Sequence, residues 1–191
     1  GIKAILTGGV APRGLVSKAQ SSCLILQNFS FPIVSKPLRL KTSSWRRDAK
    51  NPIYQHKTIN YLESIMARRE AISAAADDIL FFNSEDHICE TTVANIFLIK
   101  NEQIYTPVLH CGVLPGIIRN RVLSLCKQHN IKSCETVLCR NDILNADIVF
   151  VTNSLQGITS VASLDTTEFN STHPLLTTLV NLLRNDLFDK L

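Results

Sequence analysis

Along this 191-residue chain the spacing of apolar residues switches between a period near two and a period near 3.6, without the regular strand–helix–strand rhythm of a doubly wound sheet. Lys3 to Thr7 alternates, Cys23 to Gln27 is apolar at its centre, and Leu38 to Thr42 alternates again, with Phe31-Pro32 and Lys36-Pro37 breaking the interval between the last two. From Asn60 to Ala75 the period changes. Tyr61, Leu62, Ile65, Met66 and Ile72 recur at helical spacing, and Ala67, Ala71, Ala74 and Ala75 add helix propensity, which predicts a helix following directly on Lys57. Two hairpins are then expected, Ile79 to Phe82 with His87 to Cys89, and Asn95 to Ile99 with Gln103 to Thr106. Pro115-Gly116 opens a second helix that ends near His129-Asn130, where Asn suits a cap. Strands over 131–137, 148–152 and 158–164, a short helix over 141–145, and a leucine-striped helix from Pro174 complete the pattern. The expectation is an α+β (mixed α/β) fold, and no GxGxxG or GxxxxGK[ST] motif argues for a nucleotide-binding sheet instead.

With 45% apolar and 19% charged residues, the chain has ordinary globular proportions. A net charge of +4 and a pI near 8.8 suit small anionic ligands. Arg46-Arg47 and Arg68-Arg69 are isolated pairs without interleaved aromatics, which predicts solvated faces and no nucleic-acid partner. No stretch approaches the roughly 18 apolar residues of a membrane span, and Gly1-Ile2-Lys3 lacks a signal-peptide layout, so no membrane role is expected and a cytoplasmic location is. Six cysteines at irregular spacing, with no CxxC pair, predict buried free thiols and no metal site. The chain opens without Met and directly in a strand-like alternation, which suggests a truncated chain or an excised domain.

Four segments carry chemistry: HKTINYLESIMARREA around Lys57, ETTVANIFLI from Glu90, VLPGIIR from Val113, and FVTNSLQGITSV from Phe150. In order and spacing they resemble the motifs of the class IV pyridoxal-phosphate family of aminotransferases and aminodeoxychorismate lyases. That resemblance implies the D-amino-acid-aminotransferase-like fold of type IV. Residues 1–50 would be the end of an N-terminal domain and the interdomain segment, and 51–191 a C-terminal cofactor-binding domain, with most of the N-terminal domain absent.

The same resemblance assigns roles. Lys57 would hold pyridoxal 5'-phosphate covalently, which requires an amine that sheds its proton to attack an aldehyde. Tyr61, expected on the same helical face as Lys57, would reach the cofactor's 3-hydroxyl or serve as a core tyrosine. Glu90 would pair with the protonated ring nitrogen. Leu114 would pack on the ring, and the Ile117 and Ile118 amides would hold phosphate at a helix N-terminus, where unpaired N–H groups and the helix dipole favour an anion. Ser154 and the Leu155 amide would converge on the same phosphate. Arg13, in GGVAPRGL, is the candidate for a substrate carboxylate, its planar fork suiting bidentate contact, with a surface arginine as the alternative.

Asn153, Ser154, Leu155, Gly157 and Ile158 match the lyase form of the last motif, and Leu15 replaces the histidine of D-amino-acid aminotransferases. A pyruvate-releasing lyase that yields 4-aminobenzoate for folate biosynthesis is therefore the expected activity, acting on a small-molecule substrate. A branched-chain or D-amino-acid transaminase is the alternative, and a non-enzymatic relative keeping the fold is a third. The resemblance also implies a homodimer.

Overall fold

A computed structural model describes residues 1–31 and 36–188, and the chain divides into two compact units, Gly1–Val34 and Ser35–Leu191. The first is a two-stranded antiparallel ribbon, β1 (Ile2–Val10) with β2 (Ser21–Asn28). Its register slips between Thr7 and Val10, where Gly9 has φ +82°, and a Cβ there would sit 1.5 Å from the Ser21 carbonyl oxygen. No residue with a side chain fits that bulge.

The second unit runs β3 (Leu38–Thr42), α1 (Leu62–Ser73), β4 (Asp78–Phe82), β5 (Ile88–Thr91), β6 (Asn95–Lys100), β7 (Gln103–Pro107), α2 (Ile117–Gln128), β8 (Ser133–Thr136), α3 (Arg140–Leu144), β9 (Ile148–Asn153), β10 (Gly157–Leu164), β11 (Thr167–Glu168) and α4 (Pro174–Phe188). This mixed architecture agrees with the α+β expectation. Strand β3 pairs in parallel with both β4 and β10 and so belongs to the large sheet of the second unit.

The pairings close a ring. β3, β4, β5 and β6 are successive neighbours, β9 pairs with β6, and β10 joins β9 back to β3. Alternation then sorts side chains to either side of the ring. Leu80 and Phe82 of β4, Ile96 and Leu98 of β6, and Val149 and Val151 of β9 meet Leu40, Ile88, Val161 and Leu164 in one cluster. Their neighbours face the other way: Phe97, Ile99, Ile148 and Phe150 pack under α2 and α4, while Ile79 and Phe81 pack against Ala67 and Ala71 of α1. Apolar runs such as Asp78–Phe82 are buried throughout for this reason.

Local signals fix the turns. Asn101 and Glu102 both have positive φ, as a two-residue hairpin turn with the right-handed strand twist demands, and Asn130 takes the left-handed cap after α2. Cysteine burial is mixed: Cys89, Cys111 and Cys126 are buried, Cys134 and Cys139 are half-buried, and Cys23 is exposed. Among the described residues no helix is long and apolar enough to cross a membrane.

Candidate active site

Helix α1 starts at Leu62, five positions after Lys57, so Lys57 and Tyr61 do not share a helical face as expected. The Thr58 hydroxyl accepts the Asn60 N–H at 3.3 Å, a local side-chain bond that competes with the helical turn. Lys57 therefore lies in an exposed, non-helical segment. Its ammonium nevertheless sits over the Tyr61 ring, 5.2 Å from the centroid.

Glu90, near the end of β5, is the most connected carboxylate of the region. One oxygen accepts from Arg47 Nη1 at 3.1 Å; the other accepts from Asn95 Nδ2 at 3.0 Å and from the Leu114 backbone N–H at 3.1 Å. Burial pushes its pKa up to about 7 against the opposing pull of Arg47, these hydrogen bonds and the Lys57 charge. Lys57 and Glu90 are thus close enough for their charges to interact.

Asn95 organises the next part. It pairs in register with Glu90, donates to the Glu90 carboxylate and to the Leu114 carbonyl, and presses its Oδ1 against Gly116. A Cβ at Gly116 would fall 2.0 Å from that oxygen, so the glycine is required by space, its φ of −66° being ordinary. Gly116 caps α2 with no side-chain bond, leaving the first-turn amides of Ile117 and Ile118 to other acceptors. The Ile118 side chain is buried under the helix and that of Ile117 is exposed, so only the main chain of Ile118 is open to a contact at the helix start.

The turn between β9 and β10 lies at the same end of the sheet, since Thr152 pairs with Asn95 and Asn153 with Gly157. The two candidate phosphate loops are therefore neighbours. One expected donor needs correcting: the Leu155 amide is spent inside the turn on Asn153 Oδ1 at 3.0 Å, which also takes the Gln156 N–H at 2.8 Å. Asn153 is correspondingly a turn-former through its oxygen, and Ser154 is the exposed hydroxyl. Arg13 is exposed in the connection between β1 and β2, within the first unit.

Two residues were missed by sequence reasoning. Arg47, expected on a solvated face, is only 4% exposed; its guanidinium lies 3.8 Å from the Phe81 ring centroid and pairs with Glu63 as well as Glu90. Extended chain turns adjacent side chains to opposite sides, so Arg46 reaches outward to Asp86 while Arg47 turns inward. Nothing in an Arg-Arg dipeptide tells which is which. Thr152 is buried, and its hydroxyl has no hydrogen-bond partner among the described residues. It stands two positions beyond Phe150 and so on the α2 side of β9, beside Asn95.

Residues 1–164 match the family model described as amino-transferase class IV. A solved structure from Legionella pneumophila, provisionally named a 4-amino-4-deoxychorismate lyase, superposes with a TM-score of 0.94 at 51% identity, covering 97% of this chain and 69% of that one. The aminodeoxychorismate lyase of Vibrio harveyi is 28% identical over 181 residues, 92% of this chain and 67% of its own length. A probable branched-chain-amino-acid aminotransferase of Aquifex aeolicus is 34% identical over 134 residues, 69% of this chain and 43% of its own length. The chain spans about half the length of several curated relatives that it matches.

Proposed function

Because the chain belongs to the class IV aminotransferase family, whose members depend on pyridoxal phosphate, we propose that the complete protein uses that cofactor to release pyruvate from 4-amino-4-deoxychorismate. The residues present fit the group. Lys57 would supply the amine that holds it, and Glu90 the carboxylate that faces its ring nitrogen. The uncapped α2 amides, the Ser154 hydroxyl and the orphaned Thr152 hydroxyl supply donors for its phosphate. A buried hydroxyl without a partner costs about 1–3 kcal/mol, which an oxyanion at this position would recover. Tyr61 and Leu114 would stand beside the ring in this reading, and Asn153 would contact the substrate.

When bound, the cofactor supplies an electron sink. Lys57 takes the proton from the ring carbon that bears the substrate amine. The bond from the neighbouring carbon to the enolpyruvyl oxygen breaks, the leaving enol gains a proton and becomes pyruvate, and the ring becomes aromatic as 4-aminobenzoate. Atoms balance without a second substrate.

The observation that carries the lyase assignment is the 51% identity with the Legionella protein over nearly the whole chain, and the Asn153-Ser154-Leu155 turn with Gly157 supports it. The 34% identity with the Aquifex protein favours a branched-chain transaminase as second reading, in which Lys57 moves a proton between substrate and cofactor and a 2-oxo acid completes the cycle. Turnover of the complete protein separates the two. We expect 4-aminobenzoate and pyruvate to form with no 2-oxo acid present, whereas amino transfer from branched-chain or D-amino acids to 2-oxoglutarate with no 4-aminobenzoate would overturn the lyase in favour of the transaminase. A homodimer, a cytoplasmic location and a place in folate biosynthesis belong to the same proposal.

A further inference from the structure

We infer that Arg47 is the positioning residue of this site: it orients Glu90, favours its ionised form against burial, and ties it to the two elements that flank Lys57. The inference rests on the cofactor reading above. Its geometry is independent of that reading.

A pyridine ring held at its nitrogen and at the carbon para to it needs two protein groups at a fixed separation. Lys57 and Glu90 lie on different elements, and no hydrogen bond joins them directly. Arg47 makes the connection. Its Nη1 donates to Glu90 Oε1 at 3.1 Å and its Nε donates to Glu63 Oε2 at 3.0 Å, while its Nη2 forms an ion pair with the same Glu63 oxygen at 2.9 Å. Glu63 lies in the first turn of α1, after Lys57, and its other oxygen accepts from Tyr54 Oη at 3.0 Å, in the short 3-10 turn before Lys57. The guanidinium carbon lies over both the Phe81 and Tyr54 rings, with centroids 3.8 and 4.7 Å away. Its backbone is fixed too, the Arg47 N–H donating to the Phe82 carbonyl and the Ser84 N–H to the Arg47 carbonyl.

A planar fork is what this position requires. One cation must bridge two carboxylates on different elements while also contacting two aromatic rings, which suits a planar fork better than a lysine ammonium. The electrostatics agree. Glu90 faces Arg47 from the 43–48 segment, Lys57 from the segment before α1, Cys89 on its own strand and the Leu114 amide, with Glu63 standing behind Arg47. Burial raises the Glu90 pKa, and Arg47 is the largest opposing influence. Glu63 has the opposite effect on its own neighbour, contributing after burial to a Tyr54 pKa pushed up to about 12.

The test uses the complete protein with carboxyl-¹³C glutamate, first free of cofactor and then loaded with ring-¹⁵N pyridoxal phosphate. Arg47→Met and Arg47→Gln are expected to raise the Glu90 titration midpoint by about one unit or more in the cofactor-free protein. They are also expected to move the ring ¹⁵N resonance toward the unprotonated position, with Arg47→Lys restoring the midpoint more than the ring resonance. Should neither neutral variant fold, the wild-type Arg47 guanidinium resonances carry the test, and are expected to shift with the Glu90 midpoint. Midpoints and ring resonances unchanged in the neutral variants, or wild-type Arg47 resonances flat through the Glu90 titration, would overturn the inference. A protein that binds no pyridoxal phosphate although Arg47 controls the Glu90 midpoint would instead refute the function and leave the charge coupling standing.

Discussion

At Glu90, burial and the Arg47 cation pull the carboxyl in opposite directions, and burial prevails, leaving a pKa near 7 against an ordinary value of 4.5. A carboxyl poised there can hold a proton or yield one to a ring nitrogen at neutral pH, which an ordinary surface glutamate cannot do. The raised value has a consequence for stability. The folded state binds the extra proton between about pH 4.5 and 7, so the stability contributed by the protonated group is fully present below about 4.5 and is lost as pH rises toward 7. Glu90→Gln removes this dependence. In denaturant titrations of the cofactor-free protein, the difference between the Gln variant and wild type is expected to grow in favour of Gln by on the order of 2 kcal/mol from pH 5 to pH 8. Parallel pH profiles would show that burial does not control this carboxyl. Lys57 and Glu90 were singled out in the sequence by the resemblance of their segments to the family's motifs, the helical run after one and Asn95 five residues after the other. Arg47 was not, since its inward direction is set by the alternation of an irregular strand-like segment, its bridge to Asn83 and the rings of Phe81 and Tyr54.

Helix α2 is an element whose placement decides what its N-terminus can hold. Its start is fixed by Gly116 lying against Asn95, and Asn95 in turn holds Glu90 and the Leu114 carbonyl. Farther along, buried Arg119 donates to the Pro107 carbonyl at 2.9 Å and to Glu135, fastening the helix to β7 and β8. Gly116→Ala is therefore expected to destabilise the fold by about 1–3 kcal/mol, because the added methyl meets the Asn95 amide. It is also expected to weaken pyridoxal-phosphate binding more than Ile117→Ala, whose side chain is exposed. Equal stability and affinity for Gly116→Ala and wild type would show that this contact is relieved without cost. The Pro-Gly punctuation made the helix start readable, but the reason for the glycine was not, because it is a contact with a residue twenty-one positions earlier. The start of α1 was misread for a local reason: the Thr58 hydroxyl bond and the exposed stretch before Leu62 hide inside a run whose apolar spacing is already helical.

On the scale of the larger unit, closure of β3, β4, β5, β6, β9 and β10 into a ring brings the site together. Strand β9 enters between β6 and β10, and the parallel pairing of β10 with β3 joins segments about 120 residues apart. Hairpins and helices could be read from local period, but these long-range pairings leave no local trace, and an apolar run such as Ile148–Val151 does not name its partner. Closure sets Glu90, the α2 N-terminus and the β9–β10 turn at one end, where the segment carrying Lys57 also reaches Glu90 by its charge. The claim that Lys57 holds the cofactor is accordingly tested most directly by borohydride reduction of the complete protein loaded with pyridoxal phosphate, followed by peptide mapping. The account predicts a pyridoxyl adduct on Lys57 and its loss in Lys57→Ala with the fold retained; an adduct on another lysine, or none on Lys57, would contradict it.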